Sequence, residues 1–325
     1  MQRLPILACA VLLGACISVP FEPAARRPDW AIAIHGGAGT IPRTTPAEEA
    51  EAYRSSRAAA LRLGAGRLEA GARALDVAEE VVRLLEDDPL FNAGKGAVFT
   101  ASGEHELDAS IMDGETLSCG AVTGVKTVRH PISLARAVME RTPHVLLAGE
   151  GAEALADEAG LERVENSWFS TPPRRLQLER ALEQRRAEQG GGTVGAVVLD
   201  RHGHLAAATS TGGMTAKRRG RVGDTPLIGA GNFADDRTCA VSGTGTGEQF
   251  IRHGVARAIS DRMELSGRSA RAAAEETVFG RLQAGDGGVI VVSHRGEIAL
   301  VYNSEGMFRG AADANGRFEV AIWED

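Results

Sequence analysis

Residues 190–199 read Gly-Gly-Gly-Thr-Val-Gly-Ala-Val-Val-Leu, three glycines followed at once by Thr193 and an apolar run. Residues 194–199 and 205–211 are both strand-like, and the turn between them carries Gly203, so the two pair as an antiparallel hairpin. Upstream, residues 165–192 change character: Pro172 and Pro173, a charged stretch rich in Arg, Glu and Gln, then the glycines. That composition predicts an exposed, mobile connector. Thr193 therefore stands where a flexible segment meets a rigid strand. Taken alone, the pattern fits any β-branched residue that opens a strand. It also fits a nucleophile released by self-cleavage between Gly192 and Thr193. A threonine hydroxyl is a poor nucleophile without an adjacent base, and an N-terminal Thr supplies one in its own α-amine, whose reference pKa is about 7.7 to 8.0.

The same hairpin signal recurs on either side. Residues 106–112 alternate polar and apolar and end in a tight turn at Asp113 and Gly114, and residues 288–293 and 297–302 flank Gly296. Residues 30–35 are apolar and run into Gly36, Gly37, Ala38 and Gly39, a strand ending in a glycine turn. Thr45, Pro46 and Glu48 predict a capping box with Pro at the first helical position, and Asp76 with Glu79 predicts a second box. After that box Ala78, Val81, Val82 and Leu85 recur at helical spacing up to Pro89. Further helical segments cover 131–155, 248–263 and 269–282. Hairpins together with helix pairs favour an α+β fold of stacked antiparallel sheets covered by helices over a doubly wound parallel sheet.

With 325 residues, 43% of them hydrophobic, the chain can bury a large core. Aromatic residues are only 4% while glycines number 40, so that core is built from Ala, Val, Leu and Ile between many tight turns. Residues 1–15 carry Arg3, an apolar run over 4–13 and small residues before Cys16, which reads as a signal peptide. Leu13, Gly14, Ala15 and Cys16 resemble a bacterial lipobox, in which Cys16 is lipidated; the alternative is an ordinary signal peptide cut nearby. Residues 16–29, with Pro20, Pro23 and Pro28, then form a tether, and the folded part starts near Trp30. An exported protein of the periplasm or cell envelope is expected, held to a membrane only through a lipid on Cys16. Loss of Arg3 with the signal takes the net charge from −7 to −8, and without a basic face nucleic acid is excluded as a partner. Cys119 and Cys239 read as small buried side chains, although an oxidising compartment would allow them to pair. No metal-ligand spacing appears among the Cys or the eight His.

Several glycine-bearing motifs follow Thr193 in order. They are 192–197 (Gly-Thr-Val-Gly-Ala-Val), 209–213 (Thr-Ser-Thr-Gly-Gly), 220–224 (Gly-Arg-Val-Gly-Asp) and 243–248 (Gly-Thr-Gly-Thr-Gly-Glu). With 35–39, 91–94 (Phe-Asn-Ala-Gly) and 107–114 they closely resemble the isoaspartyl peptidase and plant-type asparaginase family, in family order, from Ala31 to the C-terminus. The joint order and spacing make the match specific.

The resemblance implies a four-layer αββα sandwich of the N-terminal-nucleophile hydrolase type. It implies self-cleavage into an α chain ending at Gly192 (residues 30–192, with the 165–192 linker) and a β chain over 193–325. Thr193 is then the nucleophile, Thr211 orients it, and the Thr244 hydroxyl with the Gly245 N–H forms the oxyanion hole. Arg221 takes the substrate carboxylate, Asp224 its amine, and Gly245 and Gly247 line the same subsite. The 85–95 loop resembles a sodium-binding loop, with backbone carbonyls of Leu85, Glu86, Asp88, Phe91, Ala93 and Lys95 as ligands and Asn92 supporting the site; Lys95 departs from the apolar residue expected there. No organic cofactor is implied. The substrate is a small molecule or dipeptide, L-asparagine or a β-aspartyl peptide, and the assembly a dimer of αβ heterodimers. Three rivals remain: an aspartylglucosaminidase-like amidase, a non-cleaving envelope binding lipoprotein, and a nucleotide-binding protein. The last rests on the strand, glycine turn and helix around 243–247, whose G-x-G-x-G spacing is not the dinucleotide fingerprint.

Overall fold

Strand β1 (Ala31–Gly39) is buried along its whole length, and its side chains alternate between two cores. Ile32 and Ile34 face one, Ala31 and Ala33 the other. A strand that is apolar on both faces must lie between two covering layers. The computed structural model, which describes residues 27–39, 41–184 and 192–324, shows what those layers are. The expected signal peptide, Cys16 and the tether up to residue 26 lie outside the described residues.

Helices α1 (Ala47–Glu69) and α2 (Ala74–Asp87) follow β1, then the hairpin of β2 (Leu107–Asp113) and β3 (Cys119–Val125). Next come α3 (Pro131–Arg141), β4 (Leu146–Ala148), α4 (Gly149–Glu158) and α5 (Pro172–Glu183). After Thr193 stand the hairpin of β5 (Val194–Leu199) and β6 (Leu205–Thr211), then β7 (Asn232–Ala234) and β8 (Cys239–Gly245). Helices α6 (Gly247–His253), α7 (Val255–Ser266) and α8 (Ala270–Arg281) lead to β9 (Gly287–Ser293), β10 (Ile298–Tyr302), β11 (Gly306–Asp313) and β12 (Phe318–Ala321).

Eight strands form one sheet in the order β12-β11-β1-β5-β6-β2-β3-β4, and four form a second, β10-β9-β8-β7. All neighbours are antiparallel except β3 and β4. Helices α1 to α4 pack on the outer face of the large sheet, α7 and α8 on the outer face of the small one, and the inner faces of the sheets meet. This is the four-layer αββα sandwich expected from the sequence. The alternation in β2 is also explained: Leu107, Ala109 and Ile111 enter the helix-side core, while buried Asp108 accepts from Thr123 and Gly124 of β3 and buried Ser110 donates to Thr225 O.

Five local expectations are corrected. The box at Thr45 does not form; Pro46 is itself the N-cap of α1, and Thr45 Oγ1 donates back to Pro42 O at 2.6 Å. Asp76 and Glu79 do not cap α2 either, because Arg136 binds both at 2.7 Å. The α2 start is capped from a distance instead, where Asp200 Oδ2 accepts the Ala74 N–H at 2.9 Å. The 131–155 segment is two helices with β4 between them, because Pro143 disfavours a helical Thr142 and β4 then pairs alongside β3. The 248–263 segment likewise breaks at Gly254. Finally, 165–192 is not a connector throughout. A 3₁₀ turn spans Asn166–Phe169 and α5 follows; Phe169, Leu178 and Ala181 are buried, and Arg174 donates to Gly96 O at 2.7 Å. Residues 185–191 lie outside the described residues.

Asp200 also accepts from the His202 and His204 N–H groups, at 2.9 and 3.1 Å, so one buried carboxylate holds the β5–β6 turn and the α2 start together. Replacing it by Ala orphans all three donors; thermal or urea unfolding of Asp200→Ala is expected to show a loss of about 1 to 3 kcal/mol.

Candidate active site

Antiparallel register gathers the chemistry at one end of the central strands of the large sheet. His35 in β1 faces Gly195 in β5, Val194 faces Ser210 in β6, and Thr211 faces Asp108 in β2. Thr193 thus emerges beside Thr211, and its Oγ1 donates to Thr211 Oγ1 at 3.0 Å. The Gly213 N–H donates to the same oxygen at 3.0 Å, so the Thr211 hydroxyl is held as the acceptor that orients Thr193. Gly192 adopts φ +115°, a conformation suited to glycine, and lies so close to Gly37 that a Cβ on either would collide with the other strand's backbone. The carbonyl oxygen of Gly192 accepts the Asn92 N–H at 3.1 Å.

Asn92 ties three segments together. Beyond Gly192, its Nδ2 donates to Gly213 O at 2.7 Å, its Oδ1 accepts the Val98 N–H at 2.9 Å, and its carbonyl accepts the Gly212 N–H at 3.0 Å. The peptide bond ahead of Thr193 is therefore fixed on its oxygen while a hydroxyl waits next to it.

Thr193, Thr211, Arg221, Asp224, Thr244 and Gly245 line one small pocket. The Ala38 N–H donates to Thr244 Oγ1 at 3.2 Å, which leaves the Thr244 hydrogen free to point into the pocket. Opposite stands a charged pair in a dry setting. Asp224 is buried, its Oδ2 has no partner among the described residues, and burial pushes its pKa up to about 7 against the pull of Arg221. An unpartnered buried carboxylate calls for a cationic ligand. Arg221 Nη1 lies beside Gly213 and Gly223, both pocket residues, and so faces the interior. A zwitterion with a carboxylate and an ammonium on one carbon matches the pair. Gly247 is not in the pocket wall; it backs the pair, since a Cβ there would stand 2.8 Å from Asp224 Oδ1 and 2.9 Å from Arg221 Nη2.

The sequence profile of the family described as Asparaginase matches residues 28–322 of this chain. The chain belongs to that family. Among curated members of the asparaginase family, a Salmonella typhimurium protein named isoaspartyl peptidase is 53% identical over 292 residues, covering 86% of this chain and 93% of that protein. Its Escherichia coli K12 namesake is 51% identical over 292 residues, covering 86% and 91%. The Mus musculus protein named isoaspartyl peptidase/L-asparaginase is 40% identical over 299 residues, covering 90% of each.

Around this asparaginase-family site two side chains escape a reading of the sequence. Glu248, quoted only as the end of a motif, receives Arg221 Nε at 3.0 Å and Nη2 at 2.9 Å. This bidentate grip holds one edge of the guanidinium and turns Nη1 into the pocket. A carboxylate after a glycine turn was the only signal, and the pairing with Arg221 crosses from one loop to a helix. Lys217 is fully buried beneath the loop that carries Arg221, and donates to Glu106 O at 2.8 Å. Burial lowers its pKa, partly offset by Asp108. The sequence marks it only as a Lys between glycine turns. Cys119 and Cys239 are unpaired thiols on different sheets; Cys239 is buried as expected, whereas Cys119 is only half-buried.

Glu248→Gln keeps the size of the side chain and removes the charge that pins Arg221. Calorimetric titration with L-aspartate is expected to show affinity about tenfold weaker than wild type, the scale of one charge-assisted hydrogen bond.

Proposed function

We propose that this chain is a self-cleaving threonine hydrolase that acts on β-aspartyl peptides and L-asparagine and releases L-aspartate. The observation that carries the reading is the Thr193 Oγ1 to Thr211 Oγ1 contact of 3.0 Å, in the pocket that also holds the half-buried Arg221 and the buried Asp224. In self-cleavage Thr193 Oγ adds to the Gly192 carbonyl carbon, and the Asn92 N–H strengthens its bond to the oxygen as charge develops there. The C–N bond breaks, the amine of Thr193 takes a proton, and water hydrolyses the resulting ester. The products are a Gly192 carboxylate and a free Thr193 amine.

That amine then takes the Oγ proton as Thr193 attacks the side-chain carbonyl of the substrate. Arg221 holds the α-carboxylate and Asp224 the α-ammonium, with Gly247 close behind both. The Thr244 hydroxyl and the Gly245 N–H receive the oxyanion. The leaving amine departs with the proton, and water attacks the β-aspartyl ester to free aspartate and regenerate Thr193. None of the relatives reported above is named for a sugar-linked asparagine or for binding without turnover.

A sodium ion in the 85–95 loop belongs to the same reading, on the carbonyls of Leu85, Glu86, Asp88, Phe91, Ala93 and Lys95. The loop suits a cation because the Lys95 ammonium turns outward, to Trp168 O at 2.7 Å and over the Trp168 ring. Glu86 O also accepts the Lys95 N–H at 2.7 Å and has one lone pair left for a metal. Pairing of two such units and a lipid anchor at Cys16 in the cell envelope complete the proposal; both rest on the sequence.

Intact mass spectrometry after incubation at neutral pH tests the core of it. Wild type is expected to split between Gly192 and Thr193, and Thr193→Ala to stay whole; an uncut wild-type chain would sink the reading. A pH profile tests the substrate pair. Below its pKa of about 7 Asp224 holds a proton and offers no anion, so KM for a β-aspartyl dipeptide rises by about tenfold per unit as pH falls below 7. Asp224→Asn should show a high KM at every pH and no such inflection.

A further inference from the structure

Behind the nucleophile, where the two sheets meet, buried polar groups form one continuous chain. Asn232 Nδ2 lies 3.0 Å from Thr209 Oγ1 and 3.3 Å from Ser110 O, and Thr209 Oγ1 lies 2.7 Å from Ser242 Oγ. Ser242 Oγ is 2.8 Å from His35 Nε2, and His35 Nδ1 is 2.9 Å from the carbonyl oxygen of Thr193. Asn232, Thr209, Ser242 and His35 have no exposed surface. None of them lines the substrate pocket.

The direction of every bond is forced from the two ends. A carbonyl oxygen only accepts, so Asn232 turns its NH₂ to Ser110 O, and the same NH₂ donates to Thr209. For the same reason His35 Nδ1 carries a hydrogen and donates it to Thr193 O. Burial, only partly countered by the bond to Thr193, lowers the His35 pKa to about 4, so the ring is neutral near pH 7 and Nε2 is a bare acceptor. Ser242 must then donate to His35, and Thr209 to Ser242. Each hydroxyl gives one hydrogen and accepts one. The arrangement also needs Gly195, since a Cβ there would collide with His35 Nε2 and Ser242 Oγ.

We infer that His35 is a positioning residue for Thr193: its Nδ1–H holds the carbonyl of the nucleophile, and the hydroxyl chain from the second sheet holds His35. Thr193 is thereby gripped at its carbonyl by His35 and at its hydroxyl by Thr211. Rotation that would carry the α-amine away from Oγ has to break one grip. Because the chain touches neither Arg221 nor Asp224, its loss acts on rate and not on substrate affinity. The same grip acts before the cut, so self-cleavage slows with turnover.

The kinetic consequence rests on the activity proposed for Thr193; the placement of the hydrogen does not. Nitrogen-15 spectra of imidazole-labelled, uncut Thr193→Ala are expected to show His35 protonated at Nδ1 and bare at Nε2 from about pH 5 to 8. A ring protonated at Nε2 would overturn the inference even if the activity reading holds. In the otherwise native chain, Ser242→Ala and His35→Phe are expected to cut kcat and the self-cleavage rate by about tenfold or more, with KM for a β-aspartyl dipeptide within about twofold. His35→Asn, whose amide N–H reaches the same carbonyl, should recover part of the loss. Wild-type rates in a folded His35→Phe, or in Ser242→Ala should His35→Phe not fold, would overturn it. So would a loss seen in KM alone. A wild type that neither cleaves nor turns over would instead remove the activity reading and leave the tautomer to decide the hydrogen-bond chain.

Discussion

The site depends on the pairing of β1 with β5 and of β5 with β6 at the centre of the large sheet. Antiparallel neighbours place the end of one strand beside the start of the next. Here that puts the bulge of β1 between His35 and Gly37, Thr193 and Thr211 at one end of these strands without any long-range adjustment. A one-residue slip in β5 would turn Thr193 to the other face and carry its hydroxyl away from Thr211. Register is secured by the cores on both faces, since Val194, Ala196 and Val198 enter one and Val197 and Leu199 the other.

On that frame the electrostatics follow from burial. Among the described residues one oxygen of Asp224 has no partner, and burial raises its pKa, while Arg221 is held by Glu248 on the edge away from the pocket. The uncompensated group is thus the one facing the ligand space, and the cation beside it arrives already oriented. Such a pair is costly to keep without ligand and gains most from a zwitterion.

The strands were legible because their signals are local: apolar runs of the right length, with glycine at the turns. The start of α2 was misread because the partners that satisfy it are remote; Asp200 caps it from the β5–β6 turn, and Arg136 takes the carboxylates of the supposed box. The segment before the junction read as a connector because few of its residues are apolar. It folds over 166–183 by burying Phe169, Leu178 and Ala181 and by reaching the Asn92 loop through Arg174. In the site, motif order named Thr193, Thr211, Arg221, Asp224, Thr244 and Gly245, which the structure gathers in one pocket. Glu248 and the His35 chain were not legible, since each depends on which side chain meets which across elements far apart in sequence.

The strand order bears on what a break before Thr193 would do to the molecule. Strand β1 lies between β11 and β5, and β6 pairs with β2, so segments from before and after residue 193 alternate across the large sheet. The two pieces would be interleaved and not merely in contact. Neither could leave without exposing bare edges on both sides of the gap, nor trade places with its counterpart in a neighbouring molecule without unfolding first. A severed chain of this topology would behave in solution as a single body, its new ends marking a functional group gained and not a joint opened.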